Sequence, residues 1–383
     1  MFKKLSLVLF LVFQSLNSYS APCPQNEISF LSFGDYLLHG RLQDLALTKH
    51  DYSWFLNSLS PLLQQVDFKT LNLEGPVASG VSKLGEQKEQ VNYFDNEVLS
   101  SYPMFNYHTK ALDSIKALGF DILTTANNHA LDRRSLGIDK TIEALNERQL
   151  NFVGTRVKND DSAQAFFKVV TVKGFKIAMI SCTEHTNGIP DKHNQVLYCG
   201  KDLKLILNFI KESKADRTIN GVMVFPHWGE ENESEPRDHQ KNLARKFIEA
   251  GSFAVIGSHP HVIQTMESYQ SSNGNKGFVF YSLGNLVSGQ VKLAQRSTLG
   301  LLLKLGLNQA NELEVKKVAY VPLYMDRAKL QVIPIENEEV SLKKKTLRAA
   351  EMQQAEQLLS VNLGTQNKLY FNKAVELLRS CQF

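Results

Sequence analysis

Six short apolar segments of this 383-residue chain each run into a polar side chain, and this pattern constrains the fold more than any other feature. The segments are typical of buried strands because each is bounded by turn-forming residues. In layered α/β folds, functional sites gather outside the carboxyl ends of the strands. The pattern therefore predicts an α/β fold with one polar site. The groups that end the six segments are Asp35, Glu74, Asn128 with His129, His227, His259 with His261, and Asn285.

The segment Gly257-Ser258-His259-Pro260-His261 has two histidines separated by a proline. In an extended chain, residues i and i+2 project to the same side, so both imidazoles can reach one point. An isolated pair of this kind is as easily two structural loop histidines. The six ends together supply carboxylates, an amide oxygen and imidazoles, which suit one or two divalent transition ions. We therefore predict a metal site where these six segments end.

Composition and charge exclude some classes of protein. The chain is 43% hydrophobic and 21% charged, which is ordinary for a globular protein with a sizeable core. Its formal charge of +4 falls to +2 if Lys3 and Lys4 are removed, so no electrostatic argument favours a nucleic-acid partner. The sequence has no glycine-rich phosphate loop and no G-x-S-x-G motif.

The first 20 residues are typical of a cleavable secretion signal. Lys3-Lys4 is basic, Leu5 to Phe13 is apolar, and Ser18-Tyr19-Ser20 precedes Ala21 as a small-x-small cleavage site. The apolar run is too short for a spanning helix with its own flanks. We expect cleavage after Ser20 or Ala21 and a periplasmic or cell-envelope location. An uncleaved membrane anchor is the alternative.

Four cysteines remain after this processing, and an even number in an exported chain permits disulfides. Three pairings are possible. Cys182 and Cys199 flank one irregular segment, whereas Cys23 and Cys381 lie near the two termini, so we favour these two pairs. A lipid anchor on Cys23 is less favoured because Ser20-Ala21-Pro22 is a poor lipobox.

The motifs around the strand ends occur in an ordered set that spans about residues 28 to 290. They are Gly34-Asp35, Asn72-Leu73-Glu74, Ala126-Asn127-Asn128-His129 with Asp132, His227-Trp228-Gly229-Glu230, Gly257 to His261, and Ser282-Leu283-Gly284-Asn285. This set resembles the CapA (PgsA)-type proteins of capsule and poly-γ-glutamate synthesis, which are similar to calcineurin-like metallophosphatases. The resemblance implies a sandwich of two mixed β-sheets flanked by helices over residues 21–297. Strands and two helices over residues 298–383 would then pack on or complete this domain.

The resemblance also implies roles for individual residues. Glu74 would bridge two metal positions. Asn128, His227 and His259 would complete one position, Asp35 and His261 would belong to the other, and His129 would be the general acid. Residues expected beside the ligands or the substrate are His39, Asp132, Asn187, Glu230 and Asn285.

One position departs from the superfamily pattern, whose first motif is D-x-H. Leu37 lies two residues after Asp35, and His39 lies two residues further on. We therefore expect one tight manganese, iron or zinc ion and a second ion that is weaker or absent.

Two functions stay open. In the first, the chain is an exported metal-dependent hydrolase that acts on a phosphoester or on an envelope polymer such as poly-γ-glutamate. In the second, it is a non-catalytic subunit that works with membrane-bound partners in polymer assembly or export. His129 favours the hydrolase because the superfamily pattern does not use this residue as a ligand, whereas Leu37 favours the alternative.

Overall fold

The structure is a computed structural model that describes residues 26–336 and 347–383. The predicted signal segment 1–20 and Cys23 lie outside these ranges. The strands are β1 (Glu27–Leu37), β2 (Phe68–Leu73), β3 (Ile122–Thr124), β4 (Asn151–Val153), β5 (Phe167–Val172), β6 (Phe175–Thr183), β7 (Gly221–His227), β8 (Ala254–Ile256), β9 (Met266–Gln270), β10 (Lys276–Phe280), β11 (Asn285–Ser288), β12 (Ser297–Leu307), β13 (Leu313–Asp326) and β14 (Gln331–Pro334). The α-helices are α1 (Gly40–Lys49), α2 (Ser60–Leu63), α3 (Lys110–Ala117), α4 (Arg134–Glu147), α5 (Leu203–Ala215), α6 (Asp238–Ala250), α7 (Leu293–Arg296), α8 (Leu347–Leu363) and α9 (Phe371–Arg379).

These strands form two mixed sheets, as the sequence predicted. The larger sheet has the order β14-β13-β12-β1-β2-β3-β4, and β11 also pairs with β1. The smaller sheet has the order β5-β6-β7-β8-β10-β9. Strands β1 to β4 run parallel to one another, and so do β6, β7, β8 and β10, whereas the outer pairs are antiparallel. The parallel strands at the centre of each sheet therefore end on the same side.

Both faces of the central strands are covered, which explains why they are continuously apolar. In β7, Met223 and Phe225 belong to an apolar cluster that takes residues from both sheets. Val222 and Val224 alternate with them and pack in a separate cluster with helices α5 and α6. A strand with side chains of period two must be apolar throughout when both of its faces are buried. Helices α1, α3 and α9 cover the outer face of the larger sheet.

The C-terminal part of the chain continues the larger sheet. Strand β12 pairs antiparallel with β1, and β13 and β14 extend the sheet beyond it. Helix α8 contributes Leu359 and Leu363 to the cluster between the sheets. The division of the chain at residue 297 stays a prediction. No helix in the described part of the chain is both long and apolar enough to cross a membrane.

A disulfide joins Cys182, near the end of β6, to Cys199 ahead of α5. The pairing agrees with the sequence prediction. Cys23 lies outside the described residues, so its pairing with Cys381 stays a prediction.

Candidate metal centre

The six predicted ligands meet where the central strands of the two sheets end. The larger sheet supplies Asp35 from β1, Glu74 after β2 and Asn128 after β3, and the smaller sheet supplies His227, His259 and His261 from the ends of β7 and β8. Each of the six is at most 4% exposed. Two groups of donor atoms form there, Glu74 with His227 and His259, and Asp35 with Glu74 and His261. Within each group the atoms lie within 4.8 Å of one another.

Both groups include Glu74, which is the arrangement that a bridging carboxylate requires. The two groups also divide the remaining residues as the family resemblance implied. The assignment of individual ligands remains a prediction.

The Nε2 atom of His227 has more neighbours than one ring nitrogen can satisfy by hydrogen bonding. It lies 2.9 Å from Oδ1 of Asn128 and 3.1 Å from Nδ1 of His259, and 3.6 Å from Oε1 of Glu74. Two donor atoms that are each about 2.1 Å from one ion lie about 3 Å apart. These separations fit four atoms that share one cation.

The opposite sides of these ligands are held by other polar groups. Nδ1 of His227 lies 2.9 Å from the hydroxyl oxygen of Ser258. The Nδ2 atom of Asn128 donates a hydrogen bond of 3.3 Å to Oδ1 of Asn187. Because a metal-binding imidazole or amide is oriented by the partner of its other polar atom, these bonds aim Nε2 of His227 and Oδ1 of Asn128 at the site.

Glu74 gives the clearest indication that a cation belongs here. Its side chain is fully buried, and neither carboxylate oxygen has a hydrogen-bond partner among residues 26–336 and 347–383. A buried carboxylate without a hydrogen bond is strongly unfavourable, and the ring nitrogen of His261 is 3.9 Å from Oε2, too far to donate one. Burial, together with the negative charge of Asp35, raises the pKa of Glu74 to about 8. A divalent metal would compensate for both effects, and mixed carboxylate, amide and imidazole donors suit manganese, iron or zinc.

The imidazoles differ in charge in the metal-free protein. Burial lowers the pKa of His227 to about 3 and holds that of His259 well below its ordinary value, so both are neutral and have a lone pair for a metal. Burial alone would lower the pKa of His261, but the carboxylates of Glu74 and Asp35 raise it to about 9. In the absence of a metal, a protonated His261 therefore supplies positive charge beside the Asp35 carboxylate, while the raised pKa of Glu74 favours the neutral form of that group at neutral pH.

His129 lies beside the centre but belongs to neither donor group. Its Nδ1 atom lies 2.7 Å from Oδ2 of Asp132, and its ring packs edge-on against Phe105 with centroids 4.8 Å apart. Burial alone would lower the pKa of His129, but the hydrogen bond with Asp132 and the charge of that carboxylate outweigh burial and raise it. The protonated form of His129 is therefore favoured, and Asp132 holds the orientation of its ring.

The structure differs from the sequence prediction at the two histidines of the Gly257–His261 segment. The segment is not extended, because φ is +102° at His259 and +60° at His261. The imidazoles therefore converge through a left-handed turn and not through strand alternation. Few residues other than glycine adopt such backbone angles, so the surrounding packing must hold them.

Two strand ends were also misplaced by the sequence prediction. Asp35 lies inside β1, where the register shifts beside it. Asn285 does not end a strand of the smaller sheet. It begins β11, which pairs with β1 of the larger sheet, and its Cα is the partner of the Asp35 Cα. The chain crosses between the sheets after β10, and no local sequence signal marks that crossing.

Only some of the residues that were predicted to lie beside the ligands are found there. Nδ2 of Asn187 lies 3.4 Å from Nδ1 of His129. His39 does not join either donor group. Its Nδ1 accepts a hydrogen bond of 3.2 Å from the backbone of Gly289, and burial lowers its pKa to about 4. Glu230 is exposed, and its neighbour Glu231 is the residue near the centre, with Oε1 4.0 Å from Nε2 of His261.

Sequence reasoning missed several residues that support the centre. Nδ2 of Asn72 donates a hydrogen bond of 2.8 Å to Oδ1 of Asp35, and its Oδ1 accepts one of 3.1 Å from Thr124. An asparagine in the middle of an apolar strand was the available signal, since a buried amide needs polar partners. Ser258 and Phe105 carried no comparable signal because serine and phenylalanine are ordinary in loops and cores.

Residues 29–290 match the family described as bacterial capsule synthesis protein PGA_cap. The chain belongs to this family. It is 27% identical over 270 residues to the capsule biosynthesis protein CapA of Bacillus anthracis, a match that covers 70% of this chain and 61% of that protein. It is also 27% identical over 297 residues to the PGA biosynthesis protein CapA of Bacillus subtilis (strain 168), which covers 76% of this chain and 72% of that protein.

Solved structures similar to this PGA_cap protein include two enzymes of low sequence identity. The NAD nucleotidase NadN of Haemophilus influenzae has a TM-score of 0.47 at 12% identity, with coverage of 92% of this chain and 66% of that chain. The sulfate thiohydrolase SoxB of Thermus thermophilus has a TM-score of 0.44 at 11% identity, with coverage of 90% and 61%.

Proposed function

We infer that this PGA_cap protein is an exported, metal-dependent hydrolase that acts in the synthesis or processing of a capsule polymer. The buried carboxylate of Glu74, which accepts no hydrogen bond from the described residues, carries this conclusion. It is buried among imidazole and carboxylate donors that fall into two groups around it. A purely structural core would lose stability by keeping such a group, because unsatisfied buried charges are costly. Membership of a capsule synthesis family supports a polymer as the substrate.

Different residues would bind the metal and transfer the proton in such a reaction. Glu74, His227, His259 and Asn128 would hold one ion, and Asp35 and His261 would join Glu74 at the second position. A divalent metal bound there lowers the pKa of a water molecule and polarises the bond to be cleaved. His129 would donate its proton to the departing group, and Asp132 would keep its ring in place.

The substrate is an anionic or amide-linked envelope polymer, or a phosphoester. The relatives are named for capsule and PGA biosynthesis, and this supports a γ-linked glutamate polymer as the first compound to test. The predicted signal segment 1–20 and the disulfide between Cys182 and Cys199 support export to an oxidising compartment. The mature chain would begin at Ala21 or Pro22.

A non-catalytic role in a membrane-bound assembly complex is the second candidate. The names of the relatives describe biosynthesis and not hydrolysis. The position of the D-x-H histidine is also occupied by Leu37, a buried residue of the core on the outer face of the larger sheet. In that case the metal-binding residues would serve stability or binding.

Metal analysis followed by a substrate screen separates the two candidates. The mature chain, purified without chelator and offered manganese, iron and zinc, should hold metal and cleave a phosphoester or poly-γ-glutamate. The His259→Ala variant should lose metal and activity, whereas His50→Asn, at an exposed histidine with left-handed backbone that asparagine tolerates, should lose neither. Bound metal without hydrolysis of any tested compound would support the second candidate. Absence of metal from the purified chain would overturn the proposed centre.

A further inference from the structure

We propose that Asn285 is a ligand of the second metal position, where it takes the place of the histidine that the chain lacks at Leu37. The proposal rests on the metal-dependent function inferred above and deepens it. It concerns the group formed by Asp35, Glu74 and His261.

The contacts of His261 show which of its ring nitrogens faces this position. Nδ1 lies 3.0 Å from Oδ1 of Asn285, 3.4 Å from Oδ2 of Asp35 and 3.9 Å from Oε2 of Glu74. Nε2 points away from these atoms, with Oε1 of Glu231 at 4.0 Å. The side chain of Glu231 is 50% exposed, so Nε2 faces the rim of the site. Nδ1 is therefore the nitrogen that can share a cation with the two carboxylates.

The orientation of the Asn285 amide is fixed by its other end. Nδ2 donates toward the backbone oxygens of His261 at 3.3 Å and Gln295 at 3.0 Å, and toward Oε1 of Gln290 at 2.8 Å. A flipped amide would place Oδ1 against two carbonyl oxygens, which cannot donate a hydrogen bond. The oxygen of Asn285 therefore points to Nδ1 of His261.

This contact has two interpretations, and only one is compatible with a metal on Nδ1. In the metal-free protein, a protonated Nδ1 can donate to Oδ1 of Asn285. Once Nδ1 binds a cation it carries no proton, and an oxygen 3.0 Å away would face its lone pair. A separation of about 3 Å is instead what two ligands of one ion show. Oδ1 of Asn285 would then coordinate the same cation as Nδ1 of His261. The first position has the equivalent pair, because Oδ1 of Asn128 lies 2.9 Å from Nε2 of His227.

The backbone holds Asn285 in this position. The Asp35 and Asn285 Cα atoms are partners in the parallel pair β1–β11, and the amide of Asp35 donates a 3.0 Å hydrogen bond to the oxygen of Gly284. A Cβ atom on Gly34 would lie 1.8 Å from that same oxygen, so only glycine permits so close an approach. With Asn285, the second position has four donor residues despite Leu37.

Metal titration of the metal-free mature chain tests the assignment without any activity measurement. We expect the parent protein to retain two ions after gel filtration, and Asn285→Ala to retain one. Loss of a residue that only orients a ligand already weakens metal binding about 10–100-fold, so loss of a ligand should weaken the second ion at least as much. The matched variant Asn128→Ala should weaken the first ion and spare the second. Asn285→Asp keeps one oxygen toward the site but turns its other oxygen to the carbonyl oxygens of His261 and Gln295, so it should hold the second ion more tightly than Asn285→Ala and less tightly than the parent.

The possible outcomes separate this assignment from the proposed function. If the parent protein binds no metal, both the proposed function and the assignment of Asn285 as a ligand are wrong. Parent protein that retains only one ion would overturn the assignment alone, even if Asn285→Ala does not fold. Two ions of unchanged affinity in a folded Asn285→Ala variant would also overturn it, and a fall only in its melting temperature in chelator would show that Asn285 is structural.

Discussion

The Nδ1 atom of His129 lies 2.7 Å from Oδ2 of Asp132, and the same oxygen accepts a 2.6 Å hydrogen bond from the backbone of Phe105. The carboxylate thus ties the ring of His129 to the loop whose phenylalanine packs against it. A histidine held through Nδ1 has Nε2 left for proton transfer. The pair resembles the base-and-orienter arrangements of many hydrolases, although here the histidine is expected to act as an acid.

His129 should affect turnover and not metal binding. The His129→Ala variant is expected to keep the metal content of the parent and to lose about 10²–10⁴-fold in kcat, the usual contribution of a general acid. Its melting temperature should fall equally with metal and in chelator, because the buried carboxylate of Asp132 loses a partner. His259→Ala should lose metal, and its stability should fall by linkage. Metal content, melting temperature and activity are measured on both variants together. Equal metal loss in the two would show that His129 is a ligand.

Asp132 should act through the pKa of His129. The acid must be protonated, so activity falls as the pH rises through the pKa of His129. Burial lowers that pKa, but the hydrogen bond with Asp132 and then the negative charge of its carboxylate raise it. Asp132→Asn should therefore move the alkaline limb of the kcat profile to lower pH and reduce kcat, with KM little changed. Asp113→Asn, at an exposed carboxylate of α3, serves as the control. A uniform loss of activity at every pH would mean that Asp132 acts only on the fold.

Glu74 is expected to destabilise the metal-free protein and to be required for metal binding. Replacement by leucine removes an unsatisfied buried carboxylate, so Glu74→Leu is expected to raise the free energy of unfolding in chelator by about 1–3 kcal/mol. The same variant should bind no metal and should gain no stability when metal is added. Chemical denaturation with and without metal measures both effects, with the exposed-site variant Glu143→Leu as the control. Destabilisation in chelator would show that Glu74 has favourable partners without a cation.

The Cys182–Cys199 disulfide should stabilise the segment that carries Asn187. It spans a sequence separation of 17 residues. The double variant Cys182→Ala/Cys199→Ala should therefore lose about 2–4 kcal/mol of unfolding free energy. Reductant should destabilise the parent by at least this amount, and the response of the variant to reductant would report the predicted Cys23–Cys381 pair. Thiol titration of the denatured, unreduced parent should find no free cysteine. If reductant does not destabilise the parent, the lower unfolding free energy of the variant comes from the removal of the two sulfur atoms and not from the loss of the disulfide.

Glu351 should make the docking of helix α8 sensitive to acid. Hydrogen bonds from Arg296, and next from Tyr324, lower its pKa. Because the folded-state pKa lies below the unfolded value of about 4.3, the stabilisation is present above that value and is lost as the pH falls through the folded-state pKa. Glu351→Gln should lower the melting temperature near neutral pH, and the difference from the parent should shrink below about pH 4. An equal difference at every pH would show that the charge of Glu351 is irrelevant. Glu376→Gln, at an exposed carboxylate of α9, is the control for the loss of one surface charge.

The sequence determined the central apolar strands and the polar residue types near their ends, although it misplaced Asp35 and Asn285 within their strands. Both faces of a central strand are covered, so runs such as Phe253 to Ile256 are apolar throughout and can be recognised locally. Polar residues that follow such runs gather at one edge because parallel strands end on the same side. The convergence of Asp35, Glu74 and the three histidines could therefore be predicted without coordinates.

Only the tertiary structure decided how these side chains are aimed. The positive φ angles of His259 and His261 are held by packing around the turn, and sequence spacing indicated an extended segment instead. The pairing of Asn285 with Asp35 depends on a chain crossing between the sheets and on the close approach of Gly34 to Gly284. Both are contacts between residues about 250 positions apart in the chain, and local patterns cannot specify them because the free energy of such contacts depends on the assembled sheets.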